Sequence, residues 1–185
     1  MEDYRINVNY AKALFIVASE ASMLDDVCRD MRLVGEVCAE NRTLNVVFAN
    51  PVIREGKKVA ILNDLFATRV SKISMLFLAF VAKKRRSINL RGIAGAFVEM
   101  YRQEKGIVLS HLVTATEVDD NARQAVSDAL AKYTKKAVEL QTKVDPEIMG
   151  GFSVAFDNNL YDATLSTAVA RLRKEFSKNV YESKL

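Results

Sequence analysis

Gly106-Ile107-Val108-Leu109-Ser110-His111-Leu112-Val113-Thr114-Ala115-Thr116 is the stretch at which the pattern of this 185-residue sequence changes. On its N-terminal side, Leu90, Ile93, Ala94, Phe97, Met100 and Tyr101 return at three- and four-residue spacing and line one face of a helix. Gly106 is placed to close that helix, because a left-handed residue ends many helices and glycine adopts it without a Cβ penalty. From Ile107 the residues are rich in β-branched side chains and read as a strand. The expected fold is therefore helical before residue 107 and mixed after it.

Working back from Gly106, five more helical segments appear. Tyr10, Leu14, Val17 and Ala18 share a face. Ser22 with Asp25 has the form of a capping box, opening a helix that carries Leu24, Val27, Cys28, Met31, Val34 and Cys38. A short helix with Leu44, Val47 and Phe48 stops at Asn50-Pro51, since the residue before proline avoids the α region. Val59, Leu62, Leu65 and Phe66 follow Gly56, and then come Ile73, Leu76, Phe77, Phe80 and Val81. Short connections between amphipathic helices predict a six-helix bundle over residues 1–106.

Working forward, Asp119 or Asp120 caps a helix with Ala122, Ala125, Val126, Ala129, Leu130 and Tyr133. Val138, Leu140, Thr142 and Val144 alternate as in a half-buried strand, and so do Phe152, Val154 and Phe156 after a turn from Pro146 to Gly151. Asp157-Asn158-Asn159 is a tight-turn signal, with Leu160-Tyr161 able to return as a short strand. Asp162 caps a last helix bearing Leu165, Val169, Leu172 and Phe176. Residues 107–185 thus read as a small α+β domain in the order strand–helix–strand–strand–helix.

Composition agrees and removes several kinds of chemistry. Gly and Pro number nine, against roughly 22 expected at an average near 12%, which disfavours a turn-rich all-β fold. Half the residues are apolar, enough for a core. One His and two Cys cannot supply four Cys/His zinc ligands, and a single His leaves little room for histidine acid–base catalysis. Cys28 and Cys38 lie about 15 Å apart along one helix, too far for a disulfide, and read as reduced, buried residues. No apolar run reaches the roughly 18–20 residues of a membrane span, and Lys83-Lys84-Arg85-Arg86 ends the most apolar one, Ser71 to Ala82. The N-terminus opens acidic and lacks signal character. The net charge of +4 divides into +5 over residues 1–106 and −1 over residues 107–185, so the halves present different surfaces.

There is no phosphate loop, dinucleotide fingerprint, zinc-protease motif or nucleophile elbow. Gly92 and Gly95, inside a helix, read as close packing sites. His111 reads as structural or partly exposed, Asp119-Asp120 as a helix cap in preference to a metal site, and the Lys83–Arg86 run as charge suited to a helix C-terminus. An acidic protein or an anionic surface is the alternative partner for that run, and nucleic acid a lesser one, because no aromatic platform accompanies it. Two helices, around Tyr10–Val17 and Ile73–Ala82, are apolar on more than one side. Such helices are either fully buried or carry a groove for a partner helix.

Tyr10-Ala11-Lys12-Ala13-Leu14-Phe15 and Val144-Asp145-Pro146-Glu147-Ile148-Met149-Gly150-Gly151-Phe152-Ser153-Val154, followed by Asp162, resemble the motifs of the delta subunit of F-type ATP synthases, the oligomycin-sensitivity-conferral family. Asn50-Pro51-Val52-Ile53 with Lys57 and Lys58, Leu90-Arg91-Gly92-Ile93 with Phe97, and Val113-Thr114-Ala115 extend the match, in order, from residue 10 to 176. The departure is Asp157-Asn158-Asn159, where the family more often has a glycine-containing turn.

The resemblance implies a non-catalytic stator subunit that ties the catalytic head to the peripheral stalk and resists torque. It implies that the N-terminal domain, 1–106, binds the N-terminal helix of the alpha subunit in a groove at Tyr10, Ala13, Leu14, Val17, Phe77, Phe80 and Lys84. It implies that the C-terminal domain, 107–185, binds the C-terminus of the b subunit. No catalytic residue, metal or cofactor is expected, nor a nucleic-acid partner. One copy per complex is expected, monomeric when alone. Because the first motif begins at residue 10, no organellar presequence is expected, and the protein is placed at the cytoplasmic face of a bacterial membrane, held there by its partners. The competing reading is a small basic RNA-binding or helical adaptor protein, resting on a pI near 9.0 and the Lys83–Arg86 run. An enzyme using His111 or Asp119-Asp120 ranks behind both.

Overall fold

A computed structural model describes residues 2–146, 148–157 and 159–177; Glu147 and Asn158 of the motifs above lie outside the described residues. The chain divides into two compact units, Met1–Lys105 and Gly106–Leu185. In the first, the described helices are α1 (Glu2–Glu20), α2 (Leu24–Glu40), α3 (Arg42–Ala49), α4 (Glu55–Phe66), α5 (Lys72–Lys83) and α6 (Leu90–Lys105), with a 3-10 turn at Ser87–Asn89.

α6 is the centre of this unit. Its stripe Ile93, Ala94 and Phe97 is fully buried, and both α1 and α2 pack on it. α1 contributes Ala11, Leu14 and Ala18, while α2 contributes Val27, Met31 and Val34. The rings of Phe15 and Phe97 lie 5.9 Å apart. Each large side chain buried here stabilises by roughly 1.5–3 kcal/mol. α5 packs against α4, so the facing sides of α1 and α5 are left apart.

Polar ties fix the two ends of α5. The Asp30 carboxylate, buried on α2, accepts the Ser71 N–H at 2.8 Å, and Ser71 Oγ accepts the Ser74 N–H at 3.3 Å to cap the helix. At the other end Arg85 is left-handed (φ 60°), and Arg86 N–H donates to the Val81 carbonyl at 3.1 Å. Buried Lys58 donates from Nζ to the Phe48 carbonyl at 2.7 Å, joined by Ser87 Oγ at 3.1 Å. A cation there suits the negative end of α3 and holds the chain at Asn50-Pro51.

Two local expectations are corrected. Ser22 does not cap α2. It is the left-handed residue (φ 54°) of the turn that closes α1, where Met23 N–H donates to the Ala18 carbonyl at 2.9 Å, and Met23 takes the N-cap position with no side-chain bond. The two glycines of α6 differ as well. A Cβ on Gly92 would run into the Asn7 amide, which accepts a hydrogen bond from Asn89 at 3.1 Å, whereas one on Gly95 would meet nothing within 4 Å. Gly95→Ala is therefore expected to stabilise the unit by about 0.5–1 kcal/mol through helix propensity. Gly92→Ala is expected to destabilise it by about 1 kcal/mol, because displacing Asn7 breaks its hydrogen bond with Asn89. Urea midpoints of the two variants, moving in opposite directions, check this.

Asp25 on α2 accepts the Tyr101 hydroxyl at 2.7 Å and pairs with Lys105 at 3.1 Å, linking α2 to the end of α6. The Tyr101 bond, then Lys105, lowers the Asp25 pKa, and the bond to Asp25 pushes Tyr101 up to about 12. The tie's contribution is complete between the unfolded-state pKa values, near 4 for Asp and 10 for Tyr. It is lost as pH falls through the lowered Asp25 pKa, and again as pH rises toward 12. The stability gap between the wild-type chain and Tyr101→Phe should accordingly be widest near neutrality and close at both extremes in pH-resolved urea titrations.

The second unit is a mixed sheet in the order β2-β1-β3-β4, built from β1 (Ile107–Thr114), β2 (Ala137–Val144), β3 (Phe152–Phe156) and β4 (Asn159–Asp162). β1 runs parallel to β2, with Val108 opposite Val138, and antiparallel to β3, with Leu112 opposite Val154. The parallel pair needs a crossover, which α7 (Asp120–Thr134) provides. Leu130 of α7 packs with Val108, Leu112, Val154 and Phe156 on one face of the sheet. His111 is exposed on the other face. The expected order lacked one regular strand, since residues 159–162 pair fully with β3. Asp119 occupies the N-cap of α7, but its carboxylate accepts from the Asn121 side chain and makes no cap bond.

Gly150 (φ 144°) and Gly151 (φ 82°) turn the chain into β3 and lie against the entry to α8 (Leu165–Ser177). The Leu165 N–H donates to the Gly150 carbonyl at 3.0 Å, and Ala163 N–H to the Phe152 carbonyl at 2.9 Å. Asp162 accepts the Thr164 N–H at 2.9 Å and the Thr167 hydroxyl at 2.8 Å, and these bonds lower its pKa. Thr164 itself occupies the cap of α8, its Oγ1 accepting the Thr167 N–H at 3.4 Å.

Candidate helix-docking groove

The first unit leaves open a groove of about 360 Å3 between α1 and α5. Tyr10, Ala13, Leu14 and Val17 line it from α1, and Ile73, Leu76, Phe77 and Phe80 from α5. The cause is the packing just described. α1 turns Ala11, Leu14 and Ala18 inward, and α5 turns Leu78, Val81 and Ala82 inward. Each helix has more apolar faces than neighbours, so the remaining faces oppose each other across the gap.

Leu14 is the groove's buried floor, and small Ala13 keeps its wall low. Leu76 is 73% exposed, Val17 50% and Phe80 48%. The Tyr10 and Phe80 rings lie 6.3 Å apart and close one end. Lys84 does not line the groove; its Nζ sits 5.6 Å from the Phe80 ring centroid, over its face. Ile73 and Leu76 were not among the expected contacts. Their position one turn before Phe77 and Phe80 on the same helix was the available signal.

The second unit has its own uncovered apolar surface. A groove of about 560 Å3 lies between α7 and the β3–β4 hairpin, lined by Tyr133, Phe156, Leu160 and Tyr161 among others. No α8 side chain is buried, and Leu165, Val169, Leu172 and Phe176 all stand more than half exposed. Their sequence pattern suits a core-facing helix, yet the sheet core closes without them.

Among the described residues no three acidic, His or Cys side chains gather to hold a metal, and no helix is long and apolar enough to cross a membrane. Each unit thus carries an open groove lined by apolar side chains. The ATP synthase delta (OSCP) subunit family model matches residues 6–176. The ATP synthase subunit delta of Chlorobium luteolum is 36% identical over 168 residues, 91% of this chain and 93% of that one. That of Cytophaga hutchinsonii is 31% identical over 180 residues, 97% and 98% of the two chains. A chain in the cryo-EM structure of the Toxoplasma gondii mitochondrial ATP synthase hexamer shares the fold, with a TM-score of 0.71 at 21% identity over 92% of this chain and 96% of that one. The chain belongs to the ATP synthase delta (OSCP) subunit family. It is a non-catalytic stator subunit of an ATP synthase complex.

Proposed function

We propose that the groove between α1 and α5 seats the N-terminal helix of the ATP synthase alpha subunit, and that the second unit holds the C-terminus of the b subunit. The observation that carries the first part is the groove itself. It is helix-sized, lined by apolar side chains, and flanked by residues already half exposed in the absence of a partner. Tyr10, Ala13, Leu14 and Val17, spaced i, i+3, i+4 and i+7, share one face of α1 and form one wall, against which an amphipathic helix can lay its own apolar face. The uncovered apolar faces of α7, β4 and α8 support the second part.

With one partner on each unit, the protein transmits torque between head and stalk. Two linked contacts also retain it far better than either alone, because the second binding event becomes intramolecular. One copy per complex, monomeric when free, completes the proposal. The complex would hold the protein at the cytoplasmic face of a bacterial membrane.

Reconstitution tests the whole reading. Heads and membranes stripped of this protein, recombined with the wild-type chain, should regain coupled ATP synthesis. Leu172→Glu with Phe176→Glu should fold normally, because neither residue is buried, yet lower binding to peptides from the C-terminus of the b subunit at least tenfold. Unaltered binding of those peptides by the double variant removes α8 from the stalk contact. Full coupling without the protein overturns the torque role.

A further inference from the structure

We infer that Lys84 is a specificity-determining residue of the groove, reading a carboxylate that the docked helix carries beside the apolar side chain seated on Phe80. The inference rests on the groove being the site of the alpha-subunit helix, and it adds the chemistry by which that helix is chosen.

Every residue lining the groove is uncharged. Such a surface accepts many amphipathic helices, and selection among them needs a polar element at the rim. The basic run after α5 supplies one, and the turn divides the run's roles. Arg85, left-handed at φ 60°, points back to pair with Glu55. Lys84, the C-cap of α5, instead lays its ammonium over the Phe80 face at the groove's edge. Among the described residues no carboxylate pairs with Lys84, and its side chain is exposed. The cation–π contact holds the ammonium in place without neutralising it.

A helix docked on Phe80 excludes water from that edge and strengthens any charge interaction there. A carboxylate is then favoured, while a lysine or arginine at the same position meets a like charge. The cation–π contact and the pairing do not compete, because the ring face takes one side of the ammonium and leaves its other N–H donors to the partner.

The test is calorimetric titration of the full chain with a synthetic N-terminal peptide of the same organism's alpha subunit, at low and high salt. Lys84→Glu should weaken binding roughly tenfold at low salt and less at high salt. Lys84→Met, which keeps the packing on Phe80, should weaken it about threefold. Peptides with each Asp or Glu changed to Gln should include one whose loss is large against wild type and absent against Lys84→Met. Changing that residue to Lys should restore binding to Lys84→Glu. Equal binding by wild type and Lys84→Glu, or no peptide carboxylate coupled to residue 84, overturns the inference and leaves the groove assignment standing. Failure of the wild-type chain to bind the peptide overturns the groove assignment and the inference together.

Discussion

Ala13→Asp is expected to lower affinity for the alpha N-terminal helix by more than about thirtyfold while leaving the chain folded. Ala13 is exposed on the groove wall, so an aspartate there stays solvated in the free protein and costs it little. In the complex the same carboxylate faces Leu76, Phe77 and the partner's apolar stripe, and must be desolvated without a counter-charge. That is worth at least about 2 kcal/mol at the centre of an interface. Phe80→Asp removes the apolar anchor as well, but its carboxylate lies within reach of Lys84, so its loss of affinity should be the smaller of the two. Titration calorimetry, with far-UV circular dichroism as the fold control, separates the outcomes. Unfolding of both variants would mean that α1 and α5 close on each other and that the groove is core. Normal folding with normal affinity would move the partner elsewhere.

Gly151→Ala is expected to destabilise the second unit by about 3 kcal/mol or more. At φ 82° a residue with a Cβ is strained, and here that Cβ would also strike the Ala163 carbonyl and approach Thr164 Cα to 3.0 Å. Both obstacles are backbone and cannot rotate aside. The bonds from Ala163 to Phe152 and from Leu165 to Gly150, which seat α8 beside β3, would have to break. The unit has a small core: among the described residues its buried apolar side chains are Val108, Leu112, Leu130, Val154 and Phe156, with partly buried neighbours such as Val126 and Phe152. Amide hydrogen exchange gives the readout. Protection in β1 and β3 should fall by two orders of magnitude or more, while α6 of the first unit is unaffected. Unchanged protection in β3 would show that the turn can reopen at low cost.

The glycine pair illustrates what sequence reasoning reaches. Gly150-Gly151 end the turn read from Pro146 to Gly151, and the positive φ angles are there. The closing glycine at 106 has φ 62°, β3 buries Val154 and Phe156 at the alternate positions read for it, and α2 and α6 begin and end within a few residues of their periodic stripes. These features are local, set by steric limits on φ and by side-chain periods of 2 and 3.6. Ser22 shows how a local signal fails. The Ser-x-x-Asp pattern fits a cap, but the residue had to turn the chain out of α1, and one backbone conformation cannot serve both ends. Gly95 resembles Gly92 in sequence and differs only in having no neighbour.

The order of residues alone carries the switch from helical to strand period at Gly106, the faces of the elements, the absence of reactive constellations and the motifs of a stator subunit. Which apolar faces stay open is a matter of packing. α1 and α5 carry more apolar surface than a stripe, α8 carries a stripe that stays exposed, and periodicity treats all of it as core. Whether a face is covered depends on which neighbour reaches it. α6 takes one side of α1, α4 takes one side of α5, and the sheet core closes without α8. Burial is a property of non-local contacts, and the hydrophobic free energy that a partner can recover is what those contacts leave unburied.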